Sequence, residues 1–183
     1  EEVEHGRANV VGRVRGAGGG RTLLLNAHLD TVGLGGPDGT TAPRVEGDRL
    51  YGRGSYDMKG GLAAIMLAAA RAVDLRLAGD LVVTAVADEE ALSIGSERIA
   101  ASVRADAAIV TEPTDMRLAI AHRGFLWLEI ETHGVAAHGS RYDLGVDAIA
   151  RMGPILVALE KFDQRLRAGV PGHPLLDYAS LHA

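Results

Sequence analysis

The sequence predicts an α/β fold, a mixed and mostly parallel sheet with flanking helices, followed by the start of a smaller α+β domain. Three observations carry that reading. Short runs rich in Val and Leu alternate with helix-forming runs as far as Pro113, which is how layered strands and helices read in sequence. Thr22 to Ala27 is nearly all apolar, as suits a central strand covered on both faces. Beyond Pro113 the polarity alternates, the mark of half-exposed antiparallel strands.

Taken in order, Asn9 to Val14 and Thr22 to Ala27 read as strands joined through the glycine cluster Gly16 to Gly20. A loop rich in Gly, Pro and Asp runs from Gly33 to Gly47, and a short segment, Arg49 to Tyr51, follows it. Asp57 then opens a helix to about Arg76, in the position of an N-cap, where unpaired N–H groups and the helix dipole favour a carboxylate. That helix is apolar on most of its surface, so it should pack on a sheet, and its two leading glycines permit close approach. Leu81 to Ala87 is the next strand, Ser93 to Val103 an amphipathic helix, and Ala107 to Thr111 a third buried strand. Arg117 to Ala121 and Phe125 to Thr132 are the expected antiparallel strands, with Leu126, Leu128 and Ile130 set against Trp127, Glu129 and Glu131. A helix from Val146 to about Leu166 should kink or restart at Pro154, which lacks an N–H. The domain boundary falls between Arg117 and Arg123, dividing the chain into 1–118 and 119–183.

Composition narrows the function. The chain has 183 residues, 47% of them apolar and 23% charged, and no apolar run near the roughly 20 residues of a membrane span. Its net charge of -5 is spread without basic clusters, which argues against nucleic acid and for small molecules or peptides. Zero cysteines exclude thiolate chemistry, so a metal would have to be held by His and carboxylates. A cytoplasmic location is the expectation. The chain opens on Glu1 and stops at Ala183 without a natural ending, so it reads as part of a longer product.

Histidine and acidic residues recur just past the apolar strands, at the edge where open α/β sheets bind ligands. LLLNA leads into His28-Leu29-Asp30, LVVTAVA into Asp88-Glu89-Glu90, and AAIVT into Glu112-Pro113. A lone histidine is more often a surface or core residue, and an acidic pair after a strand is more often a cap. Four loops that each deliver a ligand type, with Asp57 among them, favour a metal site instead. Zinc accepts this mixture of imidazole and carboxylate.

The motifs NAHLDTV, YGRGSYDMKGGLAA, VADEEALSIGS, IVTEPT and GVAAHGSRYDLGVDAI closely resemble, in order and spacing, the acetylornithine deacetylase and succinyl-diaminopimelate desuccinylase family of zinc-dependent amidohydrolases and metallopeptidases. That resemblance implies a zinc-peptidase-like catalytic domain followed by a lid and dimerisation domain. It implies two zinc ions, with cobalt or manganese as substitutes. His28 and Glu112 would ligate one metal, Glu90 the other, and Asp57 would bridge them. Asp30 is similar to the residue that orients the histidine ring, and Glu89 looks like the general base. His138 resembles the lid histidine that reaches the partner subunit's site to stabilise a developing oxyanion; its plain alternative is an ordinary turn histidine. A non-prolyl cis peptide after Asp57 is implied as well. The substrate would be an N-acyl amino acid or dipeptide, cleaved at an amide bond, in a homodimer formed through the lid.

Members of the family also carry a helical segment before the first strand and a final histidine ligand after the lid, and neither is in this sequence. The alternative reading is therefore a non-catalytic metal-binding or dimerisation fragment of the same fold. A phosphate-binding loop is excluded at GRGSYDMKGG, because Gly60 rather than Ser or Thr follows Lys59 and the glycine spacing does not match. His5, His122, His133, His173 and His182 stand outside any motif and read as surface or packing residues.

Overall fold

A computed structural model describes residues 1–33, 42–169 and 172–183. Most of the expected loop from Gly33 to Gly47 lies outside the described residues. The elements in chain order are β1 (Glu2–Glu4), β2 (Arg7–Ala8), β3 (Val10–Val14), β4 (Leu23–His28), β5 (Arg44–Glu46), β6 (Arg49–Tyr51), α1 (Gly60–Ala72), β7 (Leu81–Val86), α2 (Ile94–Ser102), β8 (Ala107–Val110) and α3 (Ala148–Gly169). The chain divides into two compact units, Glu1–Leu118 and Ala119–Ala183.

The first unit is built on a four-stranded sheet in the order β3-β7-β4-β8. β4 pairs parallel with both β7 and β8, while β3 runs antiparallel to β7, so the sheet is mixed and mostly parallel as the sequence predicts. Small antiparallel ribbons, β1 with β2 and β5 with β6, flank it. Leu25, Ala27, Met58, Ile65, Ala72 and Leu81 form the core, where α1 lies against the inner strands. At its start α1 also runs close to the segment after β8: a Cβ on Gly61 would sit 2.5 Å from the Thr111 carbonyl oxygen.

Several local expectations are corrected. Asp57 does not cap α1. It lies inside a wide turn, Ser55–Lys59, with non-helical backbone angles (φ -117, ψ 101), and the helix proper begins at Gly60. The Asp57–Met58 peptide is cis, as the resemblance implies. Past Ala72 the chain tightens into a single short turn, Val73–Leu75, instead of continuing as α-helix to Arg76. The outer face of α1 keeps Met66 and Leu67 exposed, so its apolar surface is only partly used. β8 is exposed along its length rather than buried, because it is an edge strand paired only with β4.

Where the first unit gives way to the second, Arg117 to Ala121 form no strand, and neither do Phe125 to Thr132 within the second unit. Alternating polarity provides a face to bury, but a strand also needs a ladder partner. The only ladder-type pairing between Ala119 and Gly169 among the described residues is a single antiparallel bridge between Val135 and Val146. α3 starts two residues later than expected and continues unbroken through Pro154 to Gly169.

Candidate metal centre

The sheet register assembles the site. β4 and β7 run parallel with His28 opposite Val86, so the loops that follow both strands leave from one edge. On the other side Asn26 faces Val110, and the Thr111 N–H donates to the Asn26 carbonyl at 3.1 Å. Two residues further along, that register brings Glu112 level with His28. The turn before α1 supplies Asp57 to the same edge.

His28 lies at the centre, 1% exposed. Its Nε2 stands 3.0 Å from Asp57 Oδ1, 3.9 Å from Glu89 Oε2 and 4.0 Å from Glu112 Oε1. Its Nδ1 stands 3.0 Å from the main-chain carbonyl of Asp30. A carbonyl can only accept, so Nδ1 carries a proton; Nε2 donates to the Asp57 carboxylate when the ring is protonated and turns its lone pair toward the carboxylates when the ring is neutral. Behind the ring, the His28 N–H meets the sulfur of Met58, which is 0% exposed.

Asp30 lies between the histidine ring and the acidic pair. Its carboxylate accepts from the N–H groups of Glu89 and Glu90, at 3.1 and 3.0 Å, and remains 3.6 Å from the ring. The ring's hydrogen bond goes to the main-chain carbonyl of the same residue.

The electrostatics are those of crowded anions. Burial pushes His28 down, yet the hydrogen bond to Asp57, the charges of Glu112 and Glu89 and the Asp30 carbonyl outweigh it and leave its pKa raised. Burial raises Glu89, offset in part by His28 and reinforced by Glu90, Asp30 and Asp57. Burial likewise pushes Glu112 up to about 7, against the pull of His28 and with the repulsion of Glu89, Asp57 and Glu90. Carboxylates that converge on a lone pair hold either a proton or a cation between them. Their ligand atoms fall into two groups that share His28: with Glu89 and Glu112, and with Asp57 and Glu90, each within 4.8 Å. Imidazole plus carboxylates at that spacing fit a borderline cation such as zinc.

Known sequences identify the family. A model of peptidase family M20/M25/M40 matches residues 24–169. This chain belongs to that family. It is similar to acetylornithine deacetylase of Proteus mirabilis, 37% identical over 169 residues, covering 88% of this chain and 43% of the relative. It is also similar to carboxypeptidase G2 of Pseudomonas sp. (strain RS-16), 34% identical, covering 87% of this chain and 40% of the relative. The chain thus spans less than half the length of these relatives. A tripeptidase from Staphylococcus aureus, known from its crystal structure, shares the fold at a TM-score of 0.50 and 20% identity, over 90% of this chain and 43% of that one.

Five of the residues singled out in the sequence, His28, Asp57, Glu89, Glu90 and Glu112, therefore come together at one edge of this family member's sheet, and Asp30 lies against them. His138 belongs to the second unit. There its Nδ1 accepts from the Ser140 N–H at 3.3 Å and lies 2.9 Å from the Ser140 hydroxyl, so the neutral ring carries its proton on Nε2. The sequence reading missed three residues beside the centre. Lys59 donates to the Leu29 carbonyl, Arg7 pairs with Asp88, and buried Asn9 bonds to the chain on either side of the acidic loop. Only Asn9 left a trace in sequence, as an amide at the start of an apolar run. A cleft of about 500 Å³ between Arg7, Asp30, Asp88 and Glu90 borders the acidic loop.

Proposed function

We propose that this chain carries the metal-binding face of a zinc-dependent hydrolase that cleaves an amide bond of an N-acyl amino acid or short peptide. One observation supports it above the rest: a buried histidine in a peptidase family member turns Nε2 toward carboxylates from three separate loops. Relatives named for acetylornithine and for carboxypeptidase activity support the substrate class.

His28, Asp57, Glu90 and Glu112 would hold two zinc ions. Bound there, the ions would polarise the scissile carbonyl and lower the pKa of water. Glu89, whose pKa is raised chiefly by burial, takes the proton of the attacking water and returns it to the leaving amine. Asp30 keeps Glu89 and Glu90 in register through their N–H groups. His138, with a donor on Nε2, is suited to meet an oxyanion. The lack of cysteine suits a cytoplasmic enzyme. Exposed Phe125, Leu126, Trp127 and Leu128 in the second unit support a homodimer formed there.

Glu89→Gln tests the reading. Zinc uptake by calorimetry should stay close to wild type, while hydrolysis of N-acetylornithine, N-succinyl-diaminopimelate and simple dipeptides by the full gene product falls by at least about 100-fold. Zinc uptake with no hydrolysis in the wild-type gene product would leave the non-catalytic reading in its place.

A further inference from the structure

We propose that Asn9 is a positioning residue for the acidic loop: from the link between β2 and β3 it closes the loop's two ends and so sets where Glu89 and Glu90 direct their carboxylates. The proposal rests on the metal-centre reading above. Asn9 is 1% exposed, and both halves of its amide are used. Its Oδ1 accepts from the Ala87 N–H at 3.0 Å, and its Nδ2 donates to the Gly95 carbonyl at 2.9 Å. Ala87 and Gly95 are the residues at which the loop leaves β7 and enters α2.

The same two residues also bond directly, Gly95 N–H to Ala87 carbonyl at 3.2 Å. No side chain fits at Gly95, since a Cβ would lie 2.3 Å from the Ala87 carbonyl oxygen and 2.6 Å from Asn9 Oδ1. Inside this closed base the loop is wound tightly. Asp88 takes a left-handed backbone (φ 63), its carboxylate accepts from Leu92 N–H and from Arg7, and Ser93 N–H donates to its carbonyl at 2.6 Å. Glu89 and Glu90 come next, their N–H groups held by Asp30. With both ends and the first turn anchored, little backbone freedom remains to re-aim the two side chains. Arg7 and Asn9 precede residue 24, where the family match begins.

The Asn9 amide supplies both the acceptor that the Ala87 N–H uses and the donor that the Gly95 carbonyl uses. Asn9→Asp keeps an acceptor for Ala87 but sets a negative oxygen against the Gly95 carbonyl; Asn9→Ala removes both bonds. Leu81→Ala, a core truncation at the opposite end of β7, controls for lost stability alone. The readouts are zinc affinity by calorimetry, the visible absorption of bound cobalt(II), and amide exchange at Glu89 and Glu90. Both Asn9 variants should bind zinc at least about 10-fold more weakly, a scale typical of residues that orient ligands. They should also shift the cobalt spectrum and speed exchange at Glu89 and Glu90 beyond what Leu81→Ala does at equal melting temperature. Wild-type affinity, spectrum and loop exchange in the Asn9 variants would overturn the proposal and leave Asn9 a merely structural amide. If Asn9→Ala does not fold, Asn9→Asp decides alone. If the wild type takes up no zinc, the metal-centre reading fails and amide exchange still decides the role of Asn9: faster exchange supports it, unchanged exchange overturns it.

Discussion

Replacing Glu112 with Gln should remove close to one proton from the chemistry of zinc uptake. Glu112 is pushed up to about 7 by burial and by neighbouring Glu89, Asp57 and Glu90, with His28 pulling the other way. At pH 6 its carboxyl is thus roughly nine-tenths protonated, and at pH 8 roughly one-tenth. A metal takes the carboxylate form, so this group alone should release about 0.9 proton per zinc at pH 6 and lower the apparent affinity about tenfold relative to pH 8. His28, also raised, adds to the effect in the same direction. Calorimetry in buffers of different ionisation enthalpy counts the protons directly. Glu112→Gln should bind more weakly at pH 8, having lost a ligand charge, and should release about one proton fewer at pH 6. Equal proton release by the variant, or a wild-type affinity flat between pH 6 and 8, would refute the reasoning. The same shift has a stability consequence. A carboxyl raised in the folded state stabilises the metal-free fold fully below its ordinary value of 4.5 and loses that contribution as pH rises through about 7. The melting temperature of metal-free protein should therefore fall over that window, and zinc should restore it by binding the folded state.

Other outcomes follow from single contacts. Gly61→Ala places a Cβ 2.5 Å from the Thr111 carbonyl; forcing the start of α1 away from Thr111 should cost about 1–3 kcal/mol in urea unfolding, and an unchanged midpoint would show the approach is not tight. Met58→Ala empties a fully buried site behind His28 and should cost about 2–5 kcal/mol, whereas Met58→Leu should cost less than about 1.5 kcal/mol. Asp80 is held below the usual carboxylate range by the Gly16 N–H and by Arg13. Its contribution is present above 3.8 and is lost as pH falls through its lower folded value. Asp80→Asn should consequently flatten the acid limb of the melting-temperature profile, and an unchanged limb would remove Asp80 from that account.

Much of the site was legible because its logic is local. Apolar runs at β4 and β7 announce inner strands, and a polar residue that ends such a run must leave the sheet at that edge. His28, Glu89, Glu90 and Glu112 were visible for that reason. Asp57 was visible as a residue but not in its setting, since the preference of helix N-termini for acids pointed to a cap while the chain forms a wide turn before Gly60. The strands expected after Arg117 failed for a different cause: alternation describes which face is apolar and says nothing of a partner ladder.

Residue order alone thus determined the α/β character, the inner strands and the set of ligand-type side chains carried to one edge, because hydrophobic periodicity and turn chemistry act over a few residues. Tertiary structure alone decided that Asp30 grips the acidic pair, 59 and 60 residues away, while its carbonyl holds the histidine. It likewise decided that Asn9 joins Ala87 to Gly95 across 78 and 86 residues. Bonds of that span depend on strand register and on which carbonyls and N–H groups the sheet leaves unpaired, and neither is written in the local pattern.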